Sequence, residues 1–97
     1  MRIRAERTLR EYEERYPNAK PQLLAWHEDT LVADWKSPND IKARYANASI
    51  IDSQRVVFNI AGNHYRLIVA IHYKSKIVYI RWFGTHAEYD RIDPYHV

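Results

Sequence analysis

The sequence predicts an α+β fold: N-terminal helices, then a three- to four-stranded antiparallel sheet, then a short C-terminal helix. Three observations carry this prediction. Apolar residues recur at helical spacing in the first part of the chain, β-forming runs separated by turn residues fill the second, and a helix-start pattern follows the last run. The chain has 97 residues and 46% apolar composition, enough for one domain with a single modest core.

The elements follow in order. Ala5, Leu9, Tyr12 and Tyr16 stand at i, i+4, i+7 and i+11, an amphipathic helix that ends near Pro17. Glu11 and Arg15 form a supporting i, i+4 pair. A second helix is expected over residues 20–35, with Pro21 in its first turn and Leu24, His27, Leu31 and Trp35 on its buried stripe, widened by Leu23. The Pro17–Asn18 turn makes the pair an antiparallel hairpin. Ser37, Pro38 and Asp40 start a third, short helix that runs to about Tyr45.

The texture changes after Ala48. Residues 49–52 can form a first short strand beside the run 55–60. Ala61, Gly62 and Asn63 form a turn in which Gly62 is free to take positive φ. Residues 64–73 read as a long strand, Lys74 and Ser75 as a turn, and residues 76–82 as another strand. Alternation puts Tyr65, Leu67, Val69, Ile71 and Tyr73 on the core face, and His64, Arg66, Ile68, Ala70 and His72 on the other. In the next strand it groups Arg81 with Ile77 and Tyr79, and Lys76 with Val78, Ile80 and Trp82. Thr85 and Glu88 then match the capping box T-x-x-E, so a short helix starts there, with Tyr89 and Ile92 able to face the sheet.

Composition narrows the function. The chain lacks cysteine, which excludes disulfides, thiolate metal sites and cysteine nucleophiles and fits a reducing cytoplasm. The charged N-terminus does not read as a signal peptide, and charges break every long apolar run, so no membrane partner is expected. The net charge of +3 is unevenly spread. Residues 1–40 carry seven basic and eight acidic side chains, residues 41–87 seven basic and one acidic. A basic half on a near-neutral half suits a polyanion. The 13% aromatic content serves base stacking or core packing equally well.

The candidate chemistry lies on the second half. His86, Tyr89 and Asp90 stand at i, i+3 and i+4, within reach of one site, beside the strand bearing Arg66. Such a set suits metal-free RNA cleavage, in which the ribose 2′-OH attacks its own phosphate. His86 or Tyr89 could transfer protons, and Arg66 could hold the phosphate. His64 and His72 stand eight residues apart on one strand, about 26 Å, too far to share a metal, and read as structural or rim residues. His27 reads as a core histidine and His96 as a terminal one. No cluster of metal-ligand spacing, Gly-rich phosphate loop or serine elbow is present. These local signals alone describe a basic α+β nucleic-acid binder.

The run VFNIAGNHYRLI over residues 57–68, with Tyr73, followed by FGTHAEYD over residues 83–90, resembles the HigB toxin family of the RelE-like type II toxins. The run WKSPNDIK over residues 35–42 extends the likeness, which covers most of residues 1–93. The resemblance implies a compact α+β fold with a twisted antiparallel sheet. It further implies cofactor- and metal-independent cleavage of mRNA on the translating ribosome. The expected partner is a cognate antitoxin, commonly of the helix-turn-helix type, with DNA met only through that complex. Carried onto matching positions, it points to Arg66, His86, Tyr89 and Asp90 as the catalytic set. Asn59 and Asn63 also match, with turn architecture as an alternative role. Asn63, Lys74, Lys76 and Arg81 are the expected RNA contacts.

Overall fold

The computed structural model describes residues 1–97. Its order is β1 (Arg2–Arg4), α1 (Glu6–Arg15), α2 (Lys20–Val32), α3 (Pro38–Arg44), β2 (Ser49–Ile50), β3 (Arg55–Ile60), β4 (Tyr65–His72), β5 (Ile77–Thr85) and α4 (His86–Tyr89). The α+β class and the closing short helix match expectation. The sheet does not: it has five strands in the order β1-β5-β4-β3-β2, and it is mixed, because β1 runs parallel to β5. The extra strand is three residues long with one apolar member, Ile3, too short for any periodicity. It forms because Ile3 pairs with Val78 and drops into the core.

The helices α1 to α3 cover one face of the sheet. Leu9, Leu23, Trp26 and Ile41 meet Val56, Phe58, Leu67, Val69, Ile71 and Val78 in one cluster. Each aliphatic side chain buried this way contributes about 1.5–3 kcal/mol. The core face of β4 is the one alternation predicts.

The stripe expected on α2 is corrected. Leu24 and Leu31 are 36% and 45% exposed, whereas Ala19, Leu23, Trp26 and Thr30 are buried. Those four follow i, i+4, i+7, i+11, the same period one residue out of phase. The helix also ends early: Ala33 is extended, so Trp35 is buried from a loop rather than from the helix. The main-chain nitrogen of Met1 donates to the Ala33 and Thr30 carbonyls at 2.6 and 3.1 Å, tying β1 to the end of α2. His27 lies between Glu13 (3.8 Å) and Glu6 (3.9 Å) on the α1–α2 contact.

Face assignment on β5 is also corrected. Ile68 pairs with Trp82 but Val69 pairs with Ile80, so Arg81 is an extra residue, a β-bulge. The bulge inverts the alternation beyond it. Phe83 turns inward and Trp82 turns to the outer face with Ile68 and Arg66, not inward with Val78 and Ile80. Strand β5 runs to Thr85, three residues past the predicted end, because Arg66 and Tyr65 continue the pairing with Gly84 and Thr85. No helix is long and apolar enough to cross a membrane.

Candidate active site

The β3–β4 turn sets one wall of the site. Ala61 and Gly62 both take positive φ, 54° and 66°, the geometry of a tight hairpin reversal. The pairing of Tyr65 with Thr85 then brings the start of β4 against the end of β5. His64 accepts the His86 backbone N–H at 2.9 Å, fixing the first turn of α4 to the hairpin. The capping box is complete. Thr85 Oγ1 accepts from the Glu88 N–H at 3.1 Å, and Glu88 Oε1 accepts from the Thr85 N–H at 2.8 Å. These bonds, led by the one from Thr85, hold the Glu88 carboxyl below its ordinary pKa. Tyr16, at the end of α1, donates to the same carboxylate at 3.3 Å.

An aromatic cluster supports this corner from the core side. The Tyr65 and Phe83 rings stack at 5.5 Å, and Tyr16 and Tyr12 pack on Phe83 at 5.3 and 5.5 Å. Here the high aromatic content serves packing, the alternative composition left open.

On α4, His86 Nδ1 lies 3.3 Å from Asp90 Oδ2. That contact orients the ring and directs Nε2 elsewhere. Tyr89 faces the sheet and packs on the Trp82 ring, with centroids 6.2 Å apart. Partial burial raises the Tyr89 pKa, and the nearby Arg66 guanidinium opposes the shift. The phenol is therefore protonated at neutral pH. Arg66 pairs across the sheet with Gly84 and Asn59. Its guanidinium donates to the Asn63 and Tyr65 carbonyls, both at 3.1 Å, and its charge is left without a bonded carboxylate. Gly84 leaves room for the Trp82 ring: a Cβ there would lie 2.6 Å from it.

The structure brings Arg66, His86, Tyr89, Asp90 and Asn63 to one end of the sheet. A cleft of about 460 Å³ opens there, lined by Asn18, Asn63, His64, Tyr65, Thr85 and His86. Lys74 and Lys76 lie elsewhere. They flank the β4–β5 turn at the opposite end of β4, roughly 23 Å along the strand. Lys76 is paired with Asp34 at 2.6 Å and donates to the Trp35 carbonyl at 3.4 Å. Arg81 sits in the bulge, where its Nε donates to the Val97 main-chain oxygen.

His64 reads from the sequence as a structural or rim residue, and the structure agrees: its carbonyl anchors His86 and the residue lines the cleft. Two residues at this corner escape sequence reasoning. Asn18 comes from the α1–α2 turn, and only the tertiary packing places it here. Trp82 reaches the site through the bulge, which alternation does not reveal.

The chain resembles known proteins over most of its length. A family model described as the HigB toxin, a RelE-like toxic component of a toxin–antitoxin system, matches residues 19–92. The chain is 31% identical over 93 residues to the mRNA interferase toxin HigB of Escherichia coli K12, covering 93% of this chain and 88% of that protein. The mRNA interferase HigB of Shigella flexneri matches to the same extent. A second such protein, from Escherichia coli O6:H1, is 24% identical over 98 residues, covering 99% of this chain and 95% of its own.

Proposed function

The chain belongs to the HigB toxin family, and from that membership we propose that it is an mRNA endoribonuclease that cuts on the translating ribosome without a metal ion. The observation that supports this reading best is the capping box at Thr85. It gathers His86, Tyr89 and Asp90 on a single turn beside the strand carrying Arg66.

The reaction needs a base, an acid and a cation. His86, oriented by Asp90, takes the proton from the ribose 2′-OH. The 2′-oxygen then bonds to the adjacent phosphorus as the P–O5′ bond breaks. Tyr89, a protonated phenol, delivers a proton to the departing 5′-oxygen. Arg66 holds the non-bridging oxygens, whose charge grows in the phosphorane. The products are a 2′,3′-cyclic phosphate and a 5′-hydroxyl. DNA lacks the attacking group and is inert to this route.

Asn63 lies at the same corner and contacts the RNA beside Arg66. Lys74, Lys76 and Arg81 contact RNA backbone away from the reacting phosphate, with Lys76 first leaving Asp34. As the toxic component of a toxin–antitoxin pair, the protein is neutralised by a cognate antitoxin, expected to be of the helix-turn-helix type and to carry any contact with DNA.

Expression in a host lacking the antitoxin tests the reading. Wild type should arrest growth and create new mRNA 5′ ends within coding regions. His86→Ala and Arg66→Ala should each remain folded and lower cleavage roughly 10²–10⁴-fold, the usual scale for a lost proton-transfer or charge-stabilising group. Growth arrest without new 5′ ends would point instead to a module that blocks ribosomes by occupancy.

A further inference from the structure

The outer face of the sheet carries a second cationic feature. Val57 and Ile68 are 2% and 0% exposed, yet both lie outside the core cluster that α1 to α3 cover. On this side α4 packs against β4 and β5, and residues 93–97 meet β3 and β5 through main-chain oxygens. Arg55 on β3 donates through Nη1 to the Pro94 and Val97 main-chain oxygens, both at 2.9 Å. Arg81 on β5 donates through Nε to the same Val97 oxygen at 3.1 Å. The two guanidiniums reach in from either side of β4, where Ala70 opposes both Arg55 and Tyr79 and leaves space above the strand.

We propose that Arg55 and Arg81 form a phosphodiester-binding subsite, and that residues 93–97 are a strap occupying it until RNA displaces them. Two arginines that converge on one oxygen of Val97 mark a place matched to a phosphate group. A phosphodiester offers two charged oxygens there, so an RNA phosphate can displace the strap. The strap is lightly held: Asp93, Tyr95 and His96 are exposed, and only Pro94 and Val97 are partly covered. Few buried contacts mark a segment that opens at low cost. The subsite also continues from the site already described. Arg66, on the outer face of β4, lies one strand from both arginines of the pair. The step from Arg66 to Ala70 along β4 is about 13 Å, within the reach of one bound strand.

The inference rests on the RNA reading above, and its test uses a 2′-O-methyl RNA oligonucleotide, which binds without being cut. A chain ending at Ile92 should bind it roughly fivefold tighter or more, because the competent state no longer has to be selected. Adding Arg55→Gln and Arg81→Gln to the shortened chain should cancel that gain and lower the salt slope by about 0.7, the value for one phosphate contact on a single strand. In the full chain, the amide resonances of Tyr95, His96 and Val97 should shift as RNA saturates, which tests the strap even if the shortened chain fails to fold. Those resonances staying fixed at saturation would overturn the proposal, as would a gain that survives loss of both arginines. Binding that behaves as expected, without mRNA cleavage on ribosomes, would leave the strap standing and remove the nuclease reading. Cleavage with an immobile strap would do the reverse.

Discussion

Tyr89 packs on the Trp82 ring with its phenol partly buried. Spacing put the residue one turn from His86, but its protonation depends on burial against Trp82, which no spacing encodes. Because burial raises its pKa, the phenol keeps its proton well above neutrality and suits the acid role. The proposed mechanism expects a cleavage rate whose alkaline decline lies above the ordinary tyrosine value of about 10. Tyr89→Phe should lose roughly 10²-fold in rate together with that decline. A variant that keeps the same alkaline limb would assign the limb, and the acid role, to another group. Arg66 reads from its strand alone as an ordinary surface or ion-paired arginine, and only the family resemblance singles it out; the structure leaves it without a carboxylate partner. Arg55 was not legible, since its position two strands from His86 shows its meaning only when β3, β4 and β5 are assembled.

The element that organises the site is α4, four residues long. So short a helix has little stability of its own. It persists because both bonds of the capping box form and because Tyr16 reaches across from α1 to Glu88. The sign of its pH dependence follows from the depressed Glu88 pKa. The stabilisation is fully present above the unfolded carboxylate value of about 4.3 and is lost as pH falls through the lower folded value. Acid titration should therefore loosen α4 before the core unfolds, read as faster amide exchange at Glu88 and Asp90. Glu88→Gln should flatten that response. Thr85→Val should cost about 1 kcal/mol, measured by thermal unfolding, and should reduce cleavage while leaving the sheet intact. Of all the elements this was the most legible, since a capping box is a local code. The α2 stripe was misread by one residue because Leu24 and Leu31 are apolar but exposed, and Thr30 is polar but buried. The bulge at Arg81 was invisible for a related reason. Alternation reads a strand as if every residue were paired.

Across the whole molecule, charge and chemistry are arranged by the sheet. The hairpin end of β4 carries Arg66, His86 and the cleft, and the far end carries Lys74 and Lys76. The uneven charge of the sequence thus resolves into two separate basic regions and the arginine pair between them on the outer face. Strand β1, the one parallel member, closes the edge beside β5 and shows how a three-residue strand can change the sheet class without a sequence signal. In the function proposed above, this chain cuts mRNA on the ribosome through the 2′-OH of the scissile ribose. The most direct measurement uses purified protein, ribosomes programmed with a defined mRNA, and a matched mRNA with a single 2′-deoxy substitution at the cut position. The expected result is cleavage of the first mRNA to a 2′,3′-cyclic phosphate, none of the second, and none of either with His86→Ala. Equal cleavage of the deoxy mRNA, or translation arrest with both mRNAs intact, would contradict the claim.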